Sequence, residues 1–182
     1  MRSTPGPLRT LGSMPHSLEA TATVTLSPEE AFALAHTLGA DRIAWDSHVE
    51  KRMLLGDARS IDRGVKVFER VKDGRRVILE YDVWFPGQLS SNRMVKGPWW
   101  LASYGEGWHF HETAGGTKVT WKITYEHAAK VLSDQLGAVM KLSFKSELDE
   151  RMADFVAASL DAALVRDAVS GQLPKFARHR DR

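Results

Sequence analysis

Residues 96–126 read KGPWWLASYGEGWHFHETAGGTKVTWKITYE. Two runs of alternating apolar and polar side chains flank Gly115-Gly116, a pattern that predicts a β-hairpin closed by a two-residue turn. That turn would place Phe110 opposite Trp121 and all the rings on one face of the sheet. A sheet face with this many rings must be covered by a helix, a ligand or both. The side chains predicted to point inward are Trp108, Phe110, Val119, Trp121, Ile123 and Tyr125.

The chain before this hairpin predicts a strand, two short helices and several further strands. The clearest helix start has Ser27 as N-cap, Pro28 at the first helical position and Glu30 two residues later. A second hairpin turn lies at Asp73-Gly74. Its length leaves open whether Val65 and Val67 or Phe68 point inward. The predicted segments are a strand at 17–26, helices at 28–38 and 41–46, and strands at 49–55, 65–71, 77–85 and 89–96.

The C-terminal third predicts one long helix laid across the aromatic face of the sheet. Ser133 is a capping residue, and apolar side chains then recur mostly every fourth residue up to about Val169. At about 1.5 Å per residue this helix would be roughly 50 Å long. The apolar stripe consists of Leu136, Met140, Phe144, Leu148, Met152, Phe155 and Leu160.

The order of these elements predicts an α+β fold. A curved antiparallel sheet of about six to seven strands would wrap around the long C-terminal helix, with two short helices after the first strand. We expect one domain at 17–170, a disordered leader at 1–16 and a basic flexible tail at 171–182. Met14 is an alternative start. The leader lacks the apolar segment of a secretory signal, so we expect a cytoplasmic protein.

Composition excludes several classes of function. The 182 residues carry 25 basic and 23 acidic side chains, a formal net charge of +2. This near balance, without a basic aromatic strip, argues against nucleic-acid binding. The absence of cysteine excludes disulfides, thiolate nucleophiles and cysteine metal sites. No run approaches the ~20 apolar residues that span a bilayer, so stable membrane insertion is not expected.

Four motifs occur in a characteristic order: a helix start, a tryptophan that ends a short helix, an Arg-x-x-x-Gly-Pro-aromatic strand and the aromatic hairpin. They are Ser27-Pro28-Glu29-Glu30-Ala31-Phe32, Ala44-Trp45-Asp46, Arg93 with Gly97-Pro98-Trp99, and Trp108-x-Phe110 with Ala114-Gly115-Gly116-Thr117-x-Val119-x-Trp121. Together they resemble the START/Bet v 1-like helix-grip superfamily (SRPBCC), and within it the polyketide cyclase/dehydrase and lipid-transport branch. The resemblance covers roughly residues 17–170.

The resemblance implies a deep, mostly apolar cavity between the sheet and the C-terminal helix that holds a hydrophobic small molecule. Most members need no metal or organic cofactor, and we expect none here. The expected partner is a lipid- or polyketide-like molecule, and the protein is expected to be a monomer or homodimer. Aromatic stripes are more often simple core, so plain packing remains the alternative for these rings. The predicted ligand-binding residues are Trp45, Tyr81, Phe85, Trp99, Trp108, Phe110, Trp121, Tyr125, Met140 and Phe144.

The histidines offer weak candidates for chemistry. His109 and His111 share the outward face of a strand, where exposure is a better expectation than a metal site. His36 and His127 are expected to meet solvent. His48 follows the second short helix, near the expected cavity mouth, and is a candidate general base without an identifiable partner. No catalytic residue is assigned.

The aromatic-polyketide cyclases that the chain resembles carry a cavity arginine on the strand matching residues 77–85. This sequence has Tyr81-Asp82-Val83-Trp84 there and no arginine. Arg93 belongs to the neighbouring strand and is no replacement by position. The departure counts against the cyclase mechanism, because cyclisation needs a cation or strong donors near the enolate.

Three functions are therefore open. The first is a carrier or sensor that binds a hydrophobic or aromatic small molecule in the cavity. The second is a polyketide cyclase/dehydrase enzyme, which a buried acid–base group with a perturbed pKa would favour. The third is a protein-interaction domain with a filled core, which a large exposed apolar patch without a cavity would favour.

Overall fold

The structure, a computed structural model, describes residues 15–128 and 134–172. The predicted leader and tail fall mainly outside these residues, and the predicted cap Ser133 falls between the two ranges. The elements are β1 (His16–Val24), α1 (Pro28–Ala35), α2 (Gly39–Trp45), β2 (Val49–Leu54), β3 (Lys66–Val71), β4 (Arg76–Phe85), β5 (Leu89–Lys96), β6 (Leu101–Thr113), β7 (Gly116–His127), α3 (Asp134–Ala158) and α4 (Ala162–Gln172).

The seven strands form one antiparallel sheet in the order β1-β7-β6-β5-β4-β3-β2. The sheet curls into a half-barrel, and α3 packs on its concave side against β1. The first and second strands are the two edges, so α1 and α2 carry the chain from one edge of the sheet to the other. This architecture confirms the predicted α+β helix-grip fold.

The start of α1 forms as its sequence predicts. The Glu30 backbone N–H donates to Ser27 Oγ at 3.2 Å, and the Ser27 N–H donates to the Glu30 carboxylate at 2.9 Å. This reciprocal capping box satisfies two backbone donors that a helix start leaves free. The helix then buries Phe32 and Leu34 almost completely and packs against α4.

The aromatic hairpin has the predicted faces but a different register. Trp108 lies opposite Trp121, a shift of two residues from the predicted pairing, and the turn lies one residue earlier. Gly116 is the first residue of β7 rather than part of the turn. Its φ is +125°, and a Cβ there would come 2.1 Å from the Val24 carbonyl oxygen. Because the shift is an even number of residues, all six side chains predicted to point inward are buried, as expected.

The prediction of a single C-terminal helix is wrong. α3 and α4 are separated by a break at 159–161, and Leu160, assigned to the apolar stripe, is 76% exposed. The carboxylate of Asp161 accepts hydrogen bonds from the backbone N–H groups of Ala163 and Leu164 at 2.9 and 3.2 Å. An aspartate that caps in this way starts a new helix, which lets α4 turn back onto α1.

The β3–β4 hairpin settles the question that its turn length left open. Val67 is fully buried and points inward, while Phe68 lies on the outer face. Further along β4, the pairing with β5 is irregular between Tyr81 and Val83. This irregularity interrupts the alternation of side chains. Phe85, predicted to point inward, is therefore 56% exposed.

The main core lies between the concave face of the sheet and helices α1, α3 and α4. Rings from β6 and β7 meet Phe32 of α1 and Phe155 of α3 there, with Trp108 and Trp121 stacked at 4.2 Å between ring centroids. Within residues 15–128 and 134–172, no helix has the length and apolar composition needed to cross a membrane.

Candidate functional site

A groove of about 760 Å³ opens at one end of the sheet, between the β3–β4 turn and the β5–β6 loop. Phe68 and Ile78, which pair across β3 and β4, provide apolar surface on the outer face of the sheet. The rest of the lining combines apolar and aromatic side chains with three cations and the carboxylate of Asp73. It includes Pro98, Trp99 and Trp100 from the loop and Arg75, Arg76 and Lys96 from the strand ends.

The loop sequence explains how its two tryptophans are separated. The backbone N–H of Leu101 donates to the carbonyl oxygen of Pro98 at 3.1 Å, which closes a tight turn around Trp99 and Trp100. Trp100 lies near Phe144 of α3, with 6.3 Å between ring centroids. Trp99 is 77% exposed on the groove. The turn thus anchors one ring on the helix and presents the other to solvent.

The groove adjoins the interior at the point where β5 and β6 are no longer paired. β5 pairs with β4 as far as Lys96, but it pairs with β6 only as far as Arg93. Val77 and Arg75 line both the groove and an interior cavity of about 20 Å³ under α3. A second cavity of about 10 Å³ adjoins it. Each space holds on the order of one water molecule, so packed side chains fill this part of the interior under α3.

The interior contains a chain of ion pairs that the sequence analysis did not foresee. Arg42 and Arg151 both contact the carboxylate of Asp46, at 2.6 and 2.9 Å. Arg151 also lies 3.3 Å from Glu69, which pairs in turn with Arg52. These five side chains are 3% exposed or less. Buried charges of this kind must be paired, because desolvation of an unpaired ion costs several kcal/mol.

The same chain of ion pairs reaches the rim of the groove. Arg151 lies 3.5 Å from Glu147 on the next turn of α3, and Glu147 pairs with Arg75 of the β3–β4 turn. Arg75 also pairs with Asp73 in that turn. Alternating charges therefore connect the buried interior to the groove, with Arg75 as the link between them.

These pairs keep the buried carboxylates ionised. Burial alone would raise the pKa of Asp46, but Arg151 and Arg42 outweigh it and hold that pKa below its ordinary value. Burial likewise opposes ionisation of Glu69, yet Arg52 and Arg151 lower its pKa. Both groups are therefore charged at neutral pH.

Tyrosine hydroxyls extend the polar interior toward β4 and β6. Arg52 Nη2 donates to the Tyr81 hydroxyl at 2.9 Å, and the Tyr104 hydroxyl donates to Glu106 Oε1 at 2.8 Å. Burial raises the pKa of Tyr104 well above its ordinary value, and the charge of Glu106 raises it further. In the part of the chain that the structure describes, Asn92 Oδ1 has no hydrogen-bond partner. The interior thus holds donors, acceptors and charges suited to a polar group.

A family model described as polyketide cyclase / dehydrase and lipid transport matches residues 15–159, which include the whole sheet, α1, α2 and α3. The chain belongs to this family. No curated protein matches its sequence.

Solved structures of the superfamily share the fold at low sequence identity. Ginseng major latex-like protein 151 from Panax ginseng is 16% identical with a TM-score of 0.61, covering 80% of this chain and 98% of that one. A START superfamily protein from Mycobacterium smegmatis is 13% identical with a TM-score of 0.60, covering 83% and 98%. The di-domain ARO/CYC BexL from the BE-7585A biosynthetic pathway is 16% identical with a TM-score of 0.58, covering 85% of this chain and 50% of that one.

The structure divides the predicted ligand-binding residues among different surroundings. Trp99 lines the groove, whereas Trp121 and Phe144 line the 10 Å³ cavity. Phe85 points outward, so its predicted inward position is wrong. Met140 is partly buried against the core. The others are buried in the core, namely Trp45, Tyr81, Trp108, Phe110 and Tyr125.

The core position of Trp45 has a clear structural explanation. Its indole Nε1 donates to Thr37 Oγ1 at 2.7 Å, and the Arg42 guanidinium lies 4.1 Å from its ring centroid. These contacts fix the end of α2 against α1 and the buried charges. A ligand contact at the other buried rings remains a prediction.

His36, expected to meet solvent, is instead buried. Its Nδ1 donates to the Phe32 carbonyl oxygen at 2.7 Å, so the neutral ring accepts from Ser90 Oγ through Nε2, also at 2.7 Å. Burial lowers the pKa of His36 to about 3. Both ring nitrogens of His36 have hydrogen-bond partners, and neither His36 nor Ser90 lines any of the cavities described above. We therefore interpret His36 as a structural residue of the core.

The other candidates for chemistry lie at the surface. His48 Nε2 is 3.0 Å from Glu150, a partner that sequence spacing did not reveal. Arg93 points outward and pairs with Glu80 at 3.0 Å. His109 and His111 are exposed, as expected, and the described residues contain no cluster of three or more metal-binding side chains.

Sequence signals for the buried charges do exist. Glu69 alternates with Val67, and Glu106 alternates with Trp108, so each shares the inward face of its strand. Arg151 lies three residues after Leu148 on the buried stripe of α3. Charged residues at inward positions of a strand or helix predict a buried ion-pair network, and this pattern is present in the sequence.

Proposed function

We propose that this protein binds a small molecule whose aromatic or acyl body lies in the groove between the β3–β4 turn and the β5–β6 loop. The observation that carries this proposal is Trp99, a large ring left 77% exposed on a groove of about 760 Å³. Small-molecule sites typically measure about 300–1,000 Å³ and have mostly apolar walls. Exposed aromatic rings lose unfavourable hydration when a ligand covers them.

The position of the groove supports the proposal. It lies where β5 separates from β6, and it shares Arg75 and Val77 with the interior cavity. A ligand in the groove would therefore sit at the entrance to the space between the sheet and α3. Arg75 forms an ion pair with Glu147 at this position.

The family supports a ligand-binding role of this general kind. Its description combines polyketide cyclase / dehydrase with lipid transport, and the similar folds include a START superfamily protein and an ARO/CYC protein. Both kinds of activity require that a hydrophobic molecule be held by the protein. The groove offers room for such a molecule and, unlike a groove of about 420 Å³ beside His48 and α3, it is lined by exposed aromatic surface.

A polyketide cyclase/dehydrase activity is the second candidate, and the polar interior favours it. The sequence has no arginine at residues 77–85, but Arg52 of β2 supplies a cation beside that strand, 2.9 Å from the Tyr81 hydroxyl. Nearby, the Tyr104 hydroxyl, whose pKa is raised by burial, donates a hydrogen bond to Glu106. Groups of this kind cluster at active sites. An enzyme would lose turnover in Glu106→Gln while still binding its substrate, which product analysis by mass spectrometry would show.

The binding proposal is tested with a neutral fluorescent probe, N-phenyl-1-naphthylamine. Trp99→Ala should weaken its binding by about tenfold, as expected when one covering ring is removed, without lowering the thermal midpoint. Phe85→Ala is the matched control, because Phe85 is also an exposed ring but does not line the groove. Fluorescence titration gives the affinity of each variant.

The outcomes separate the candidate functions. A loss confined to Trp99→Ala supports binding in the groove. Equal affinity in all three proteins contradicts it. Absence of binding by the unmodified protein, together with a native mass spectrum free of small molecules, favours the interaction domain with a filled core.

A further inference from the structure

We propose that the groove selects an anionic ligand, whose carboxylate, sulfonate or phosphate is held by Arg76 and Lys96 beside the ring of Trp99. This inference rests on the proposed function, because it names the chemistry of the molecule bound at the same site. Three observations carry it: the placement of the cations, the lack of partners for two of them, and the apolar wall next to them.

The sheet register brings the cations together on its outer face. Arg76 pairs directly with Arg70 across β3 and β4. Lys96 pairs with Ile78, which follows Arg76 by two residues on the same face. Diagonal neighbours in such a pair lie roughly 7–8 Å apart. Like charges at neighbouring positions on one face of a sheet repel each other, and an anion between Arg76 and Lys96 would offset that repulsion.

Two other cations at this end of the molecule, Arg70 and Arg75, are neutralised by carboxylates. Arg70 pairs with Glu50. Arg75 pairs with Glu147 and with Asp73, the carboxylate that lines the groove. The groove therefore has no carboxylate of its own left to neutralise a further cation.

Arg76 and Lys96 are different. Both are exposed, and neither forms an ion pair with any residue in 15–128 or 134–172. Both nevertheless line the groove. Two unpaired cations at a concave site provide the positive potential that attracts and orients an anion.

The apolar wall beside these cations fixes the rest of the ligand's chemistry. Trp99, Phe68 and Pro98 line the same groove and offer a surface for a flat or extended apolar body. A free metabolite with an apolar body and one anionic group satisfies both parts of the site. A neutral lipid would cover the rings but leave the two cations unused.

The test compares two dyes that share one body. 8-Anilinonaphthalene-1-sulfonate is N-phenyl-1-naphthylamine with a sulfonate added, so the difference in affinity reports the anionic group. The unmodified protein should bind the sulfonate about tenfold more tightly, as two charge-assisted contacts in a partly exposed site allow. The difference should shrink at about 0.5 M salt, where exposed charges are screened.

Variants locate the effect. Arg76→Gln with Lys96→Gln should weaken sulfonate binding about tenfold and change neutral-dye affinity less than about twofold. Arg93→Gln removes the same charge from the same strand as Lys96 but outside the groove, where Arg93 already pairs with Glu80. It should leave both affinities unchanged. Circular dichroism and thermal midpoints check that every variant is folded.

The results distinguish failure of this inference from failure of the proposed function. Equal binding of the two dyes, with a dependence on Trp99 but none on the cations, would overturn the anionic preference and leave the groove as a neutral site. No dependence of either dye on Trp99 would overturn the groove itself. Because Arg93→Gln removes one charge and the double variant removes two, a loss of about threefold in sulfonate binding by Arg93→Gln would show that only overall charge matters, which also overturns the inference.

Discussion

Replacing His36 by glutamine should remove much of the protein's sensitivity to acid. In the folded protein the ring is buried and neutral, with both nitrogens engaged by Phe32 and Ser90. Its pKa is about 3, against 6.5 for the unperturbed side chain. Below pH 6.5 the unfolded chain therefore takes up a proton that the folded chain does not, and stability falls as the pH falls toward 3. Glutamine cannot take up that proton in either state.

The magnitude follows from the two pKa values. Proton linkage gives a loss of about 2.5 kcal/mol in the free energy of unfolding between pH 7 and pH 4.5. At pH 4.5 the folded ring is still almost entirely neutral, so the unfolded-state pKa sets nearly all of this loss. For a domain of this size the same change lowers the thermal midpoint by roughly 5–10 °C.

The assay is urea unfolding at both pH values for the unmodified protein and His36→Gln. The variant should be less stable at pH 7, because the hydrogen bonds fit imperfectly, but should lose about 2.5 kcal/mol less on acidification. His109→Gln, on the exposed outer face of β6, is the control and should keep the full pH dependence. Carboxylate titration is common to all three proteins and cancels in the comparison. Parallel pH profiles for the unmodified protein and His36→Gln would refute the reasoning.

Three further changes test the architecture by chemical denaturation. Glu69→Gln leaves two buried guanidinium groups without their shared carboxylate and should cost about 3–5 kcal/mol; a loss below 1 kcal/mol would contradict a buried network. Gly116→Ala should cost about 1–3 kcal/mol, since its φ is +125° and a Cβ would strike Val24. A Cβ at Gly115 would meet nothing within 4 Å, so Gly115→Ala should hardly change the free energy of unfolding. Equal losses of stability in Gly115→Ala and Gly116→Ala would refute the assignment of the turn. Asp161→Ala should cost about 1 kcal/mol through loss of the cap on α4, seen also as lower helicity.

The features that could be predicted from the sequence are those set by local chemistry. The capping box at Ser27 and Glu30 needs only side chains within one turn of helix. The inward faces of β6 and β7 follow from strict alternation, which places Trp108 and Trp121 in the core whichever even register the hairpin takes. Local patterns therefore predict the order of the helices and strands, and that order is sufficient to predict the fold class.

The features that could not be predicted depend on contacts distant in sequence. Gly116 belongs to the strand because β1 passes too close for a side chain there. The irregularity in β4 that turns Phe85 outward arises in its pairing with β5. The helix break at 159–161 does have a local sequence signal, the capping residue Asp161. The apolar pattern continues across it, however, and favours one uninterrupted helix. The groove also escaped prediction, because it depends on where β5 leaves β6.

The buried charges change what kind of molecule can enter the interior. Among the described residues, the buried guanidinium groups of Arg42, Arg52 and Arg151 equal in number the buried carboxyl groups of Asp46, Glu69 and Glu106. Ion pairs of this kind often contribute no more stability than apolar residues of the same volume, but removing one partner is costly.

A purely apolar molecule between α3 and the sheet would separate these ion pairs without offering the charged groups any new hydrogen bond or ion pair. If the proposed ligand were purely apolar, we would expect it to stay in the groove outside Arg75. Only a ligand with polar groups at its leading end can replace the contacts that it breaks. An anionic end satisfies this condition best, because it can take the place of Glu147 on Arg75 and keep that guanidinium paired while the entrance opens. The unpaired cations of the groove and the paired guanidinium of Arg75 at its inner end are thus both consistent with the proposed ligand, an apolar body that carries an anionic group.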